Sequence, residues 1–79
     1  MRAAKLSSSL IARIGYVDEE RTLKVWFREG PLYCYFDVPP EAYEALRESE
    51  SAGRYYNRHI KGCYRCSFDP DRKRFRPAA

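Results

Sequence analysis

Two short segments of alternating polarity meet across Phe27-Arg28-Glu29-Gly30, and this junction constrains the fold more than any other stretch of the chain. Upstream, Thr22-Leu23-Lys24-Val25-Trp26-Phe27 sets Leu23, Val25 and Phe27 on one side of an extended backbone. The junction fits a type I turn with Gly30 in the left-handed conformation, the three-residue hairpin loop with a bulge. Such a loop fixes register. Phe27 falls opposite Pro31, Val25 opposite Tyr33 and Leu23 opposite Tyr35. Both tyrosines then share the face of Leu23 and Val25, while Trp26, Leu32 and Cys34 point the other way.

Around this hairpin the remaining elements follow from local chemistry. Leu10 to Val17 is rich in β-branched residues, and Leu10, Ala12, Ile14 and Tyr16 alternate on one face, so a strand precedes the hairpin across the charged turn Asp18-Glu19-Glu20-Arg21. Pro39-Pro40 cannot continue a ladder but suits a helix entry, with Glu41 and Glu44 following near the free amides of the first turn. The apolar stripe of that helix is Ala42, Tyr43 and Leu46. Ser49 or Ser51 can cap a second helical segment, in which Tyr56 and Ile60 form the inward pair and which Gly62 ends. The pattern predicts an α+β fold: a three-stranded antiparallel sheet (strands about 9–17, 21–27 and 32–38) packed by helices at about 40–49 and 52–61. One domain is expected over residues 1–66. Residues 67–79 read as a basic tail with two prolines, expected to be partly disordered.

A chain of 79 residues supports one core and buries only about 60% of the surface its unfolded form exposes. Seven Tyr, four Phe and one Trp supply large buried areas to offset that shortage. No stretch approaches the roughly 20 apolar residues of a membrane span, and the first nine residues lack the apolar run of a signal peptide. A cytoplasmic setting with no membrane contact is expected. Cys34, Cys63 and Cys66 are an odd set, which fits thiols in a reducing compartment better than a disulfide framework.

Several residues together carry a resemblance: Ser8-Ser9, Ile14-Gly15-Tyr16, Tyr33-Cys34-Tyr35, Val38-Pro39, and the run Ser51-Ala52-Gly53-Arg54-Tyr55-Tyr56-Asn57-Arg58-His59-Ile60. In order and spacing they resemble the KTSC family, small domains named for their occurrence at the C-terminus of some lysyl-tRNA synthetases, over about residues 6–64. The resemblance implies a small domain also found as free-standing bacterial and phage proteins, with no established activity and a suggested role in RNA binding. It implies structural roles for Tyr33 and Tyr35 on a strand and for Gly53, Tyr55, Tyr56, Asn57 and Ile60 on the helical segment. Cys63-x-x-Cys66 and the basic tail lie outside the family pattern.

Charge is unevenly placed. Residues 1–53 hold 7 basic and 9 acidic side chains (net −2), whereas residues 54–79 hold 8 and 2 (net +6). This asymmetry points to an anionic partner. Arg54, Tyr55, Asn57, Arg58, His59, Lys61 and Arg65 interleave cations with aromatic and amide groups, the chemistry that binds phosphates and stacks unpaired bases. On the other sheet face Lys24, Trp26 and Arg28 alternate, so Trp26 can stack a base or dock a protein, or be covered by another part of the chain.

His59-x3-Cys63-x2-Cys66 has zinc-compatible spacing, with Cys34 a conceivable fourth ligand. One short pair is poor support, and no metal or cofactor is expected. The same two cysteines lack the strand and helix-start setting of a redox pair. A single histidine and four scattered glycines give no catalytic constellation, and no enzyme activity is expected. The leading expectation is therefore a binding module for RNA, either tRNA or a single strand. The competing one is a protein-interaction or self-association domain using the sheet face around Trp26.

Overall fold

The structure, a computed structural model, describes residues 2–69. Its sheet is antiparallel with five strands in sequence order: β1 (Arg2–Lys5), β2 (Ile11–Val17), β3 (Thr22–Phe27), β4 (Leu32–Tyr35) and β5 (Cys66–Asp69). Between β4 and β5 lie α1 (Pro40–Glu48), α2 (Ala52–Tyr55) and a π-helical turn (Tyr56–Ile60) that continues α2. The expected α+β class holds, with two strands more than the sequence pattern predicts.

Both additional strands are edges. β1 carries Arg2-Ala3-Ala4-Lys5, which shows no apolar alternation, and is held by antiparallel pairing of Arg2 with Tyr16 and Lys5 with Arg13. β5 pairs Tyr33 with Phe68 and Tyr35 with Cys66, so residues 67–69 form a strand where a disordered tail is expected from sequence. The remainder of that tail, residues 70–79, lies outside the described residues.

The hairpin register is the predicted one: Val25 pairs with Tyr33 and Leu23 with Tyr35. The loop conformation is not. Gly62, at φ 77°, has the one positive φ among the described glycines, so Gly30 does not adopt the left-handed conformation. Pro31 biases the residue before it toward extended conformations, which disfavours the expected bulge geometry. Register survives because the apolar face is what specifies it.

β2 also departs from simple alternation. Its pairing with β3 shifts between Ile11 and Arg13, a bulge that turns Ile11 onto the core face opposite Phe27. Ile11 is therefore fully buried and Leu10, expected inside, is 41% exposed. β4 stops at Tyr35, three residues short of the expected end, because Asp37 takes a φ of 58° and turns the chain. Val38 then returns to the core, its amide donating to the Arg21 carbonyl at 2.9 Å.

The core lies between one sheet face and the helices. Ile14, Tyr16, Leu23, Val25 and Tyr35 pack against Tyr43 and Leu46 of α1 and against Tyr56 and Ile60. Tyr16 stacks on Tyr43 with ring centroids 5.7 Å apart, and its hydroxyl donates to the Val38 carbonyl. Burial pushes the Tyr16 phenol above its ordinary pKa. On the opposite face Trp26 lies across Gly15, where an added Cβ would meet the indole at 3.2 Å. Absence of a side chain at Gly15 is what lets the ring approach the neighbouring strand.

Candidate functional site

Of the basic residues singled out from sequence, Arg54, Arg58 and His59 ride on one helical run, with Lys61 at its cap, and Tyr56 and Ile60 fix the inward side of that run. Ser51 caps the run, its hydroxyl accepting from the Arg54 amide at 3.4 Å. After Tyr55 the backbone widens: the Lys61 amide donates to the Tyr56 carbonyl, five residues back, at 2.8 Å. Single π turns of this kind are rare and often found at functional sites. With Tyr56 and Ile60 anchored, Arg54, Asn57, Arg58, His59 and Lys61 are exposed and Tyr55 is half-buried.

These residues divide between two recesses. Arg54, Tyr55, Arg58 and His59 line one of about 520 Å³, together with Ser49, Glu50 and Ser51. Within it the Tyr55 and His59 rings sit 4.6 Å apart at a tilt of 37°. Asn57 and Lys61 face the other side, on the rim of a cleft of about 710 Å³. Arg65 lines neither. It reaches Asp37 at 3.9 Å and lies over the Phe36 ring at 5.4 Å.

Trp26 does not join this surface. The indole is 5% exposed, so it presents no open face for a base or a partner to stack on. Leu32, beside it in the ladder, is buried to the same degree. The alternation that places Trp26 on the second sheet face is correct, and its availability for binding is not.

The larger cleft is not legible as a site from the sequence. Its walls are Phe27, Tyr33, Tyr35 and Tyr56, residues whose spacing reads as core, together with Tyr64. Phe27 meets Tyr33 and Tyr56 edge-on at 5.3 and 5.2 Å, while Tyr33 stacks on Phe68 at 5.5 Å. At the floor the hydroxyls of Tyr35 and Tyr56 hydrogen-bond to each other. Burial pushes both phenols above their ordinary pKa; the mutual hydrogen bond adds to the rise for Tyr35 and opposes it for Tyr56. Both are neutral at ordinary pH. Outward from Tyr33 the aromatic surface continues to Phe68, 56% exposed on the edge strand.

Cys34 is half-buried and Cys63 and Cys66 are exposed, all as thiols. Among the described residues no group of three His, Cys, Asp or Glu side chains is placed to hold a metal ion. No helix there is long and apolar enough to cross a membrane.

Known proteins are similar to this chain in sequence and fold. The family model of the KTSC domain matches residues 7–64. A protein of Stutzerimonas stutzeri is 43% identical over 61 residues, covering 77% of this chain and 86% of its own length. The lysine–tRNA ligase of Nostoc punctiforme is 36% identical over 61 residues, which make up 11% of that enzyme. Among solved structures, a KTSC domain protein from Yersinia pestis superposes with a TM-score of 0.82 at 35% identity, covering 86% of this chain and 96% of that one. The chain belongs to the KTSC domain family.

Proposed function

We propose that this domain is a non-catalytic RNA-binding module that uses the outer surface of its second helical run. One observation carries the reading: Arg54, Arg58 and Lys61 project from a single helical run and its cap, and none forms an ion pair with a described residue. By contrast, Arg2 is held by Asp18 and Glu44, and Arg47 by Glu44 and Glu48. Unpaired cations bind phosphates with release of counterions, and the adjoining Tyr55 and His59 rings offer a surface for an unpaired base. Related domains forming part of a lysine–tRNA ligase support an RNA ligand, either tRNA or a single strand. The reading puts the protein in a bacterial cytoplasm, where such ligands are found.

Fluorescence anisotropy with labelled tRNA and a labelled single strand tests it. Affinity is expected to fall steeply with salt. Arg54→Glu combined with Arg58→Glu should weaken binding and reduce the logarithmic salt slope by about 1 for each phosphate that is no longer neutralised. Absence of binding at low salt, or an affinity that the double variant leaves unchanged, would overturn the proposal.

A further inference from the structure

We infer that the aromatic cleft beside β5 takes one unstacked base from a single RNA strand, an assignment that rests on the RNA-binding reading above. Its volume of about 710 Å³ lies within the range of small-ligand sites, roughly 300–1,000 Å³. The walls are aromatic, and aromatic rings stack bases of any identity because every base has a π face. Tyr33 is the central wall, half-buried between Phe27 and Phe68.

Polar groups at the mouth match a base better than an aliphatic ligand. The Asn57 side chain carries an amide donor and a carbonyl acceptor, the pair that reads a base edge with two hydrogen bonds. Lys61 and Arg28 outweigh the single acid in the lining, Glu29. Arg28 is held in place by two carbonyl oxygens, those of Ser8 at 2.5 Å and Leu6 at 3.0 Å, which orient the guanidinium without neutralising it.

Continuity with the proposed phosphate surface selects nucleic acid over other ring-bearing ligands. Asn57 and Lys61 at the cleft and Arg58 on the opposite recess all belong to the stretch of the π turn and its cap. A strand whose phosphates track across this turn can turn one base inward while its backbone remains outside. A duplex cannot, because its bases are stacked and paired.

The test compares three RNA probes by fluorescence anisotropy: a short single strand, the same strand annealed to its complement, and an abasic strand of equal length and charge. The base-bearing single strand is expected to bind about 5- to 150-fold more tightly than the abasic one, the stacking gain of one base. It should also outbind the duplex, and a duplex that binds as tightly as the single strand overturns the cleft assignment. Tyr33→Leu and, on an exposed position that does not enter the core, Asn57→Ala should each narrow the base-to-abasic ratio while leaving abasic binding in place. Equal binding of base-bearing and abasic strands, or a ratio untouched in Asn57→Ala and in a folded Tyr33→Leu variant, overturns the cleft assignment and leaves the RNA reading standing. Binding of none of the three probes overturns both.

Discussion

The two edges of the helix-covered sheet face are built from the same residue type and end in opposite conditions. At the β1 edge Tyr16 is sealed beneath Tyr43 of α1, and Arg2 reaches across to Glu44 at 2.7 Å and to Asp18 at 2.9 Å. At the β5 edge Tyr35 meets Tyr56 of the π turn edge-on at 5.9 Å, Tyr33 is half-buried, Phe68 is 56% exposed, and a cleft remains. The difference lies in what stands over the ring. A nine-residue helix with a three-residue apolar stripe closes one edge, whereas a five-residue turn contributing Tyr56 and Ile60 leaves the other open. Tyr35 is as buried as Tyr16 and Tyr43, so at the open edge it is Tyr33, half-buried, that remains available.

The strongest way to break that comparison is to weaken α1. Leu46 is fully buried in the shared core, and Leu46→Ala removes buried methyl groups and leaves a cavity, a change that costs about 2–5 kcal/mol. Urea denaturation should show the midpoint fall accordingly. A decrease under about 1 kcal/mol, well below that cavity range, would mean that α1 is not what closes the β1 edge. The surface ion pairs of Arg2 cannot substitute, since exposed pairs contribute about 0–1 kcal/mol each.

Alkaline titration sharpens the same comparison, because burial raises the phenols of Tyr16 and Tyr43 at the closed edge and of Tyr35 and Tyr56 at the cleft. A phenol with a raised folded-state pKa keeps its proton where the unfolded chain, titrating near about 10, has released it. Stability from these groups is thus complete below about pH 10 and declines as pH rises beyond it. Phenolate absorbance from the four buried rings should appear together with loss of far-ultraviolet circular dichroism. Their ionisation near about pH 10 in a chain that stays folded would show that neither edge excludes water.

One edge is legible in the sequence and the other is hidden. The hairpin register of Val25 with Tyr33, the stripe Ala42, Tyr43 and Leu46, and the inward pair Tyr56 and Ile60 follow from apolar periodicity, which the core enforces. β1 and β5 do not, since edge strands pair through backbone groups and need no apolar alternation. The bulge that exchanges Leu10 for Ile11 is equally silent, because it is a backbone adjustment with no side-chain signature. Of the site, the exposed cations are readable from composition. The cleft is not, because the strand that borders it reads as tail. Trp26 fails in the opposite sense: alternation defines its face, but burial depends on neighbours that period-two patterning does not specify.

The smallest effect is expected at Phe68. Its ring stacks on Tyr33 but is more than half exposed, so Phe68→Ala removes little buried area and should cost about 0.5 kcal/mol, within the range of surface substitutions. β5 is held instead by its ladder to β4 and by the Phe36 amide, which donates to the Arg65 carbonyl at 2.9 Å. If urea midpoints confirm that small cost, Phe68 is not part of what holds β5 on the sheet. A much larger cost, about 2 kcal/mol or more, would place Phe68 in the core on the same footing as Tyr43 and make the β5 edge a closed one. Because the expected stability cost is small, any accompanying fall in preference for base-bearing over abasic RNA in this variant reads directly as the removal of an aromatic surface.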